Sequence, residues 1–195
     1  MAINHGFSWH RRSQSCVATF SAFEADLLRS LAGQLIELLR NEAAAPREND
    51  DLESLLDFSG PTTVPDDPVL ARMFPTAYPD DDEAAADFRR FTESSLRNAK
   101  AAAAAVVIDT LEEAGLPDAP EDGLFIDVEL DRDAAQIWLR AFTDMRLAIG
   151  TRLEVQEGDE DVWESMAEDD PRSPVHDIYN WLGFLQETLV EALMR

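Results

Sequence analysis

The sequence has few of the residues that build metal and disulfide sites. Among 195 residues there is one cysteine, Cys16, and there are three histidines. A single cysteine excludes a disulfide within the chain and any zinc site that needs two or more thiolates. The histidines, His5, His10 and His176, lie far apart in the sequence. We therefore expect neither a metal centre nor another cofactor.

Long apolar runs and catalytic signatures are also missing. No run approaches the about 18 residues that a membrane-spanning helix requires. The first twelve residues lack the basic start and the apolar middle of a signal peptide, so we expect a cytoplasmic protein that does not bind membranes. Nucleophile-elbow, P-loop, dinucleotide-binding and zinc-protease motifs are absent. The sequence therefore favours a non-enzymatic protein, and an enzyme of unknown reaction stays open as an alternative.

Basic residues are scarce beside acidic ones. The chain has 16 lysines and arginines against 40 aspartates and glutamates, which gives a net charge of −24 at pH 7. Such a charge repels nucleic acids and anionic lipids, so we expect no direct binding to nucleic acid. The acidity keeps the chain in solution, suits a high-salt cytoplasm or attracts a basic protein partner, and the composition alone leaves these three alternatives open.

The strongest pattern that is present lies between Ala134 and Val155. At about 100° per residue, its apolar residues share one helical face. Arg152 lies near the middle of this face and Arg146 at its edge. We predict that both are structural buried charges, and that Arg152 contacts an acidic residue from another helix or loop, because an unpaired buried charge is costly. The apolar face consists of Ala134, Trp138, Ala141, Phe142, Met145, Ala148 and Ile149.

We expect the other segments to pack around this helix and bury its apolar face. The fold class is mainly α, within the α+β class: a single domain with a bundle of about five to seven helices and a small three-stranded antiparallel sheet. The sheet combines an N-terminal hairpin with a mid-chain strand. The predicted segments are a hairpin at 1–20, a helix at 21–44, irregular chain with short helices at 45–80, helices at 81–114, a strand at 124–130 and a helical C-terminal half at 131–195.

Several boundaries depend on capping residues. Ser21 and Glu24 have capping-box spacing and predict a helix start. Pro68 suits the first position of a short helix. Thr92 is a candidate cap for a second helix within 81–114, and Ser173 followed by proline is a candidate cap for the last helix.

Four apolar residues are candidates for binding a partner. Leu147 and Phe184 point almost opposite the inner stripes of their predicted helices, so they belong either to an interface or to helices covered on two sides. Trp163 and Met166 lie one turn apart in an acidic segment. An acidic segment with apolar residues suits a basic, apolar groove, and the alternative is a short helix that Trp163 holds against the core.

Cys16 is a weak candidate for a redox role. A sensor thiol needs an exposed, electropositive site, which Arg11 and Arg12 across the hairpin would supply. The alternative is a small apolar residue within a strand. A disulfide between two chains, and with it a homodimer, remains open.

Four segments, taken together and in order, resemble the actinobacterial oxidative-stress response regulator family, formerly described as a domain of unknown function. The resemblance runs from about Glu24 to Leu193. It implies transcriptional regulation through a protein partner such as an alternative sigma factor or a polymerase component. Genes of this family typically lie beside the gene for the adaptor of the Clp protease, so a Clp-linked adaptor is the alternative. The segments are DDPVLARMFPTAY, FRRFTESSLRNAK, WLRAFTDMRLAIGTRL and DIYNWLGFLQETLVEAL.

The chain departs from this family in its cysteine content. A disulfide switch within one molecule needs two cysteines, and only Cys16 is present. The resemblance therefore supports the binding of a partner more than a redox switch.

Overall fold

Five helices and three strands make up the described part of the chain. The computed structural model describes residues 6–41, 60–159, 163, 166–167 and 169–195. The elements are β1 (Ser8–His10), β2 (Ser15–Ser21), α1 (Ala22–Asn41), α2 (Pro68–Met73), α3 (Asp82–Glu113), β3 (Phe125–Leu130), α4 (Arg132–Arg152) and α5 (Ser173–Leu193).

The sheet has the order β1-β2-β3, and both strand pairs are antiparallel. The turn of the hairpin is longer than Ser13 and Gln14, because His10 pairs with Ser15 and four residues lie between them. Gln14 adopts the left-handed conformation, with φ 58°. In β3 the side chains alternate between exposed and buried, as the sequence predicted. The α+β class with a three-stranded antiparallel sheet is confirmed, and an all-α description would be inexact.

The helix starts follow local capping chemistry. The Ser21 backbone N–H donates to the Glu24 carboxylate at 2.7 Å, and the Glu24 N–H donates to Ser21 Oγ at 3.3 Å, which confirms the capping box of α1. Asp67 accepts from two backbone N–H groups at the start of α2. Ser173 was predicted as the cap of α5, but it is the first helical residue, and no side chain caps this helix. The predicted end of α1 near residue 44 and the first part, 45–59, of the predicted irregular segment lie outside the described residues.

Helix α3 is one continuous helix of 32 residues instead of two. Thr92 does not start a second helix, because its hydroxyl donates to the Phe88 carbonyl within the same helix at 2.6 Å. The helical period aligns Leu96 with Ala103, Val107 and Leu111 on one face and so predicts that it points inward, but it is 46% exposed. In this part of α3 the buried side chains are charged.

These charged residues form a buried ion cluster of Arg89, Glu93 and Arg97. Both arginines pair with the Glu93 carboxylate, which is 2% exposed. Arg89 also donates to the Phe74 carbonyl at 3.0 Å, and Arg97 to the Leu39 carbonyl at 3.2 Å. The cluster therefore joins α3 to the end of α2 and to α1.

The core lies around α4, which contacts all four other helices and the sheet. Trp138 and Phe142 are fully buried and pack edge to face, with ring centroids 5.6 Å apart. Phe7 contacts both rings, and Phe20 of β2 stacks on Trp138. The helix that the sequence analysis placed at the centre occupies that position. The structure leaves the outer seam between α4 and α5 open.

Candidate functional site

Three adjoining cavities follow the seam that α5 forms with α4 and with the segment after α4. We call their combined lining the α4–α5 surface. The first cavity, of about 280 Å³, shares Arg146 and Gln186 with a second of about 760 Å³. The first also shares Arg72, Val155 and Tyr179 with a third of about 690 Å³. Because neighbouring cavities share lining residues, the seam is one continuous concave surface.

A ladder of stacked side chains runs along this surface. The Trp163 and His176 rings are parallel within 8°, with centroids 4.6 Å apart. His176 in turn stacks on Tyr179 at 6.3 Å. A guanidinium lies over each end: Arg172 is 5.4 Å from the Trp163 centroid, and Arg146 is 4.7 Å from the Tyr179 centroid. These distances suit cation–π attraction, so the ladder fixes both cations at the surface.

Two glycines allow the helices to approach this ladder closely. A Cβ at Gly150 would lie 3.1 Å from the Tyr179 ring, and a Cβ at Gly183 would lie 3.2 Å from the Arg146 guanidinium. Glycine inside a helix costs about 0.5–1 kcal/mol relative to alanine. At both positions the missing side chain leaves space for a neighbouring group, the Tyr179 ring at Gly150 and the Arg146 guanidinium at Gly183.

Arg146 occupies the middle of the surface. Its Nη1 donates to Gln186 Oε1 at 3.0 Å, and Gln186 Nε2 donates to Thr143 Oγ1 at 2.8 Å, so the amide has a fixed orientation. Its Nε is buried and has no hydrogen-bond partner in the described part of the chain. The Nε1 of Trp163 is also buried and has no hydrogen-bond partner in that part of the chain.

Arg172, at the other end of the ladder, belongs to an ion pair. Its guanidinium donates to Asp170 at 2.8 Å and 3.0 Å. The hydrogen bonds from its side chain and its backbone N–H lower the pKa of Asp170 to about 2. The Asp170 carboxylate is therefore ionised near neutral pH, and the ion pair is intact there.

The charges around the seam are unevenly distributed. Carboxylates line the two larger cavities: Glu187 and Glu191 in the second, and Glu157, Asp159 and Asp177 in the third. The first cavity has no carboxylate and two arginines, Arg72 and Arg146. The α4–α5 surface is therefore acidic at its rim and cationic at its centre.

The structure brings three of the four predicted partner-binding residues to this surface. Leu147 is half-buried and lines the first cavity, while Phe184 is 40% exposed and lines the second. Trp163 is half-buried and lines the third. Met166 is half-buried but lines none of these cavities.

Other members of the ladder were missed by the sequence analysis. Tyr179 and His176 lie one turn apart along α5, which is also the spacing of ordinary core residues, so periodicity gave them no functional meaning. The available signal was the pair of helical glycines, Gly150 and Gly183, which each mark a close approach.

The two predicted structural arginines differ in their surroundings. Arg152 does contact a carboxylate from another element, with 2.6 Å between its Nη2 and Asp67 Oδ2, but its side chain is 55% exposed. It is therefore a surface charge and not a buried one, because its long side chain extends into solvent. Arg146 is half-buried and has no ion pair within the described residues.

Cys16 does not have the environment of a reactive thiol. It lies in β2 with no exposed surface. Burial raises the pKa of its thiol, and the charge of Arg132 lowers it by less. Hence the electropositive, exposed site that redox sensing requires is not formed at Cys16 in this structure.

A search of the described residues finds no helix that is both long and apolar enough to cross a membrane. The same part of the chain has no cluster of three or more histidine, cysteine, aspartate or glutamate side chains that could hold a metal ion.

Comparison with known proteins gives consistent matches over nearly the whole chain. A model of the family described as "Domain of unknown function (DUF2017)" matches residues 5–193. A Mycobacterium leprae protein, provisionally named oxidative stress regulator AosR, is 37% identical over 88% of this chain and 79% of its own length. The oxidative stress regulators AosR of Mycobacterium bovis and Mycobacterium tuberculosis are each 32% identical over 91% of this chain and 81% of their own. No solved structure gives a significant match.

Proposed function

The chain belongs to the DUF2017 family, with relatives named oxidative stress regulator AosR, and from this premise we propose that it regulates the oxidative stress response by binding a protein of the transcription machinery. The resemblance that the four sequence segments indicated is confirmed at the level of the family. The regulatory role comes from the names of these relatives. The partner, an alternative sigma factor or a polymerase component, is our proposal.

The observation that carries the proposal is the uncovered apolar side of the α4–α5 surface. Phe184 and Val190 are each 40% exposed and line the same cavity beside the ladder. Large apolar side chains that cluster in a concave surface with a polar rim are typical of protein interfaces. Phe184 is well placed to insert into a partner.

The charge of the surface defines the kind of partner. Carboxylates line the two cavities on either side of its centre, and the whole chain has a net charge of −24. Acidic surfaces attract basic ones and accelerate their association. We therefore propose that the occupant is a protein segment with basic and apolar residues. Sigma factors fit this description through their basic DNA-binding surfaces.

The test uses the full chain as bait and then purified components. The wild-type chain is expected to recover a sigma factor or a polymerase subunit from cells under oxidative stress, and to bind the purified partner directly. Phe184→Glu places a charge in the apolar contact, so the dissociation constant is expected to rise about 10- to 100-fold, as for an interface hot spot. Binding is measured by titration calorimetry.

Phe91→Glu is the matched control. Phe91 is 64% exposed on α3 and lines none of the three cavities, so this variant is expected to bind as the wild type does. Recovery of Clp components alone would contradict the proposal. So would equal loss of binding in both variants, or a light-scattering mass that is dimeric for the wild type and monomeric for Phe184→Glu, since Phe184 would then lie in a homodimer contact.

A further inference from the structure

The central cavity of the α4–α5 surface has a chemistry that the binding of a basic protein does not explain. It has a volume of about 280 Å³ and is lined by two cationic side chains, Arg72 and Arg146, and otherwise by uncharged residues such as Tyr179. We propose that this cavity binds the oxyanion group, a carboxylate or a phosphate, of a small molecule. This inference is independent of the proposed protein partner.

Arg146 differs from the comparable arginines of the described chain. Four arginines in the described ranges are buried or half-buried: Arg29, Arg89, Arg97 and Arg146. Each of the first three forms an ion pair with a carboxylate. Arg146 has only the neutral amide of Gln186 and the ring of Tyr179. In a chain with 40 acidic residues, the missing carboxylate leaves a place for an external anion.

The donor atoms of Arg146 support this interpretation. Its buried Nε is unpartnered among the described residues, and a buried donor without an acceptor is destabilising. Guanidinium groups bind carboxylates and phosphates through two parallel hydrogen bonds. Because this Nε is inaccessible, a ligand oxygen in the cavity would bind the other N–H groups of the guanidinium, which Tyr179 and Gln186 hold in place.

Arg72 supplies a second cation to the same cavity. It is exposed at the end of α2 and has no ion pair within the described part of the chain. Arg72 and Arg146 come from different elements and line one cavity that has no carboxylate. Two converging arginines are therefore available to one anion.

The size of the cavity and the charge of the chain restrict the ligand. The volume of about 280 Å³ is at the lower limit for small-molecule sites, which hold ligands in about 300–1,000 Å³. The net charge of −24 repels anions at long range. Binding at this cavity would therefore depend on the local geometry of the two arginines, and general electrostatic attraction cannot produce it.

The experiment follows the side-chain Nε–H resonance of Arg146 by NMR on the full-length, ¹⁵N-labelled chain. Phosphate and acetate are titrated separately, with sodium chloride at equal ionic strength as the reference. A saturable shift with phosphate, with acetate or with both supports the proposal and identifies which group binds. A shift that is linear and the same with chloride would overturn it.

Variants separate the cavity from general charge effects. Arg72→Gln removes an exposed charge that has no ion pair within the described residues, and the dissociation constant of the probe is expected to rise at least about 10-fold. Arg140→Gln makes the same change of charge on the exposed face of α4, outside this cavity, and is expected to leave binding unchanged. Equal dissociation constants in wild type and Arg72→Gln would contradict the proposal. Its outcome is independent of partner recovery, so each proposal can fail alone.

Discussion

At the scale of single residues, Cys16 shows how the fold sets chemical reactivity. Its thiol is fully buried in β2, and burial raises its pKa above the ordinary value of 9.0. Because the folded thiol retains its proton at a pH where the unfolded thiol loses it, ionisation favours the unfolded state. This contribution to stability is complete below about pH 9 and is lost as the pH rises towards the folded pKa.

We predict that the wild type loses more stability than Cys16→Ala between pH 8 and pH 10. The measurement is the urea midpoint of both proteins over this range. Tyrosine and lysine titrate in both, so the difference between the two curves reports the thiol alone. Parallel curves would show that the thiol ionises equally easily in the folded and unfolded chains, and an exposed, reactive Cys16 would return as a hypothesis.

Arg152 marks the limit of what residue spacing predicts. Its place on the apolar face of α4 predicted burial, and the pair with Asp67 was correctly expected to come from another element. Spacing gives the face of a helix but not the length of the core that the face meets. Since the Arg152 side chain extends into solvent, the pair is a surface contact, and such pairs contribute only about 0–1 kcal/mol.

At the scale of elements, the buried cluster of α3 is expected to matter more than any surface pair. Glu93 is 2% exposed and balances both Arg89 and Arg97. Glu93→Gln leaves two buried guanidinium groups without a carboxylate, and the free energy of unfolding is expected to fall by about 3–5 kcal/mol. Urea denaturation measures this loss.

Glu112→Gln provides the control on the same helix. Glu112 is exposed near the end of α3, so the free energy of unfolding is expected to change by less than about 0.5 kcal/mol. A loss below about 1 kcal/mol in Glu93→Gln would mean that solvent reaches the two arginines, contrary to their buried positions.

The elements also show why some of the fold could be predicted from the sequence. In β3 and α4 the buried positions carry mostly apolar residues, so their periods of about 2 and 3.6 residues identify the elements and their inner faces. In α3 the same face carries Arg89, Glu93 and Arg97, and apolar periodicity therefore assigned Leu96 inward wrongly. Charges spaced by four residues were the overlooked signal, because such spacing places them on one helical face.

The candidate site was harder to predict than the elements. Leu147, Phe184 and Trp163 were predicted from their positions on separate segments, but the ladder depends on how α4 and α5 pack. No single helix contains that information. The helical glycines show that two surfaces approach each other but do not identify which residues meet.

At the scale of the whole molecule, the net charge of −24 acts on two equilibria with opposite signs. Repulsion among the carboxylates destabilises the compact state, whereas attraction to a basic partner stabilises a complex. Between about 0.01 M and 0.15 M salt, the Debye length falls from about 30 Å to about 8 Å. Sodium chloride over this range therefore weakens both effects.

We predict that the same increase in salt stabilises the chain and weakens its complex with the proposed partner. The urea midpoint is expected to rise, since urea carries no charge and leaves the ionic strength under separate control. The affinity measured by calorimetry is expected to fall in parallel experiments. Chain-wide repulsion alone would raise the midpoint and leave binding unchanged, so a salt-independent affinity would contradict an electrostatic role for the acidic rim. A midpoint that falls would instead show that exposed ion pairs, such as the pair of Arg152 and Asp67, outweigh the net repulsion.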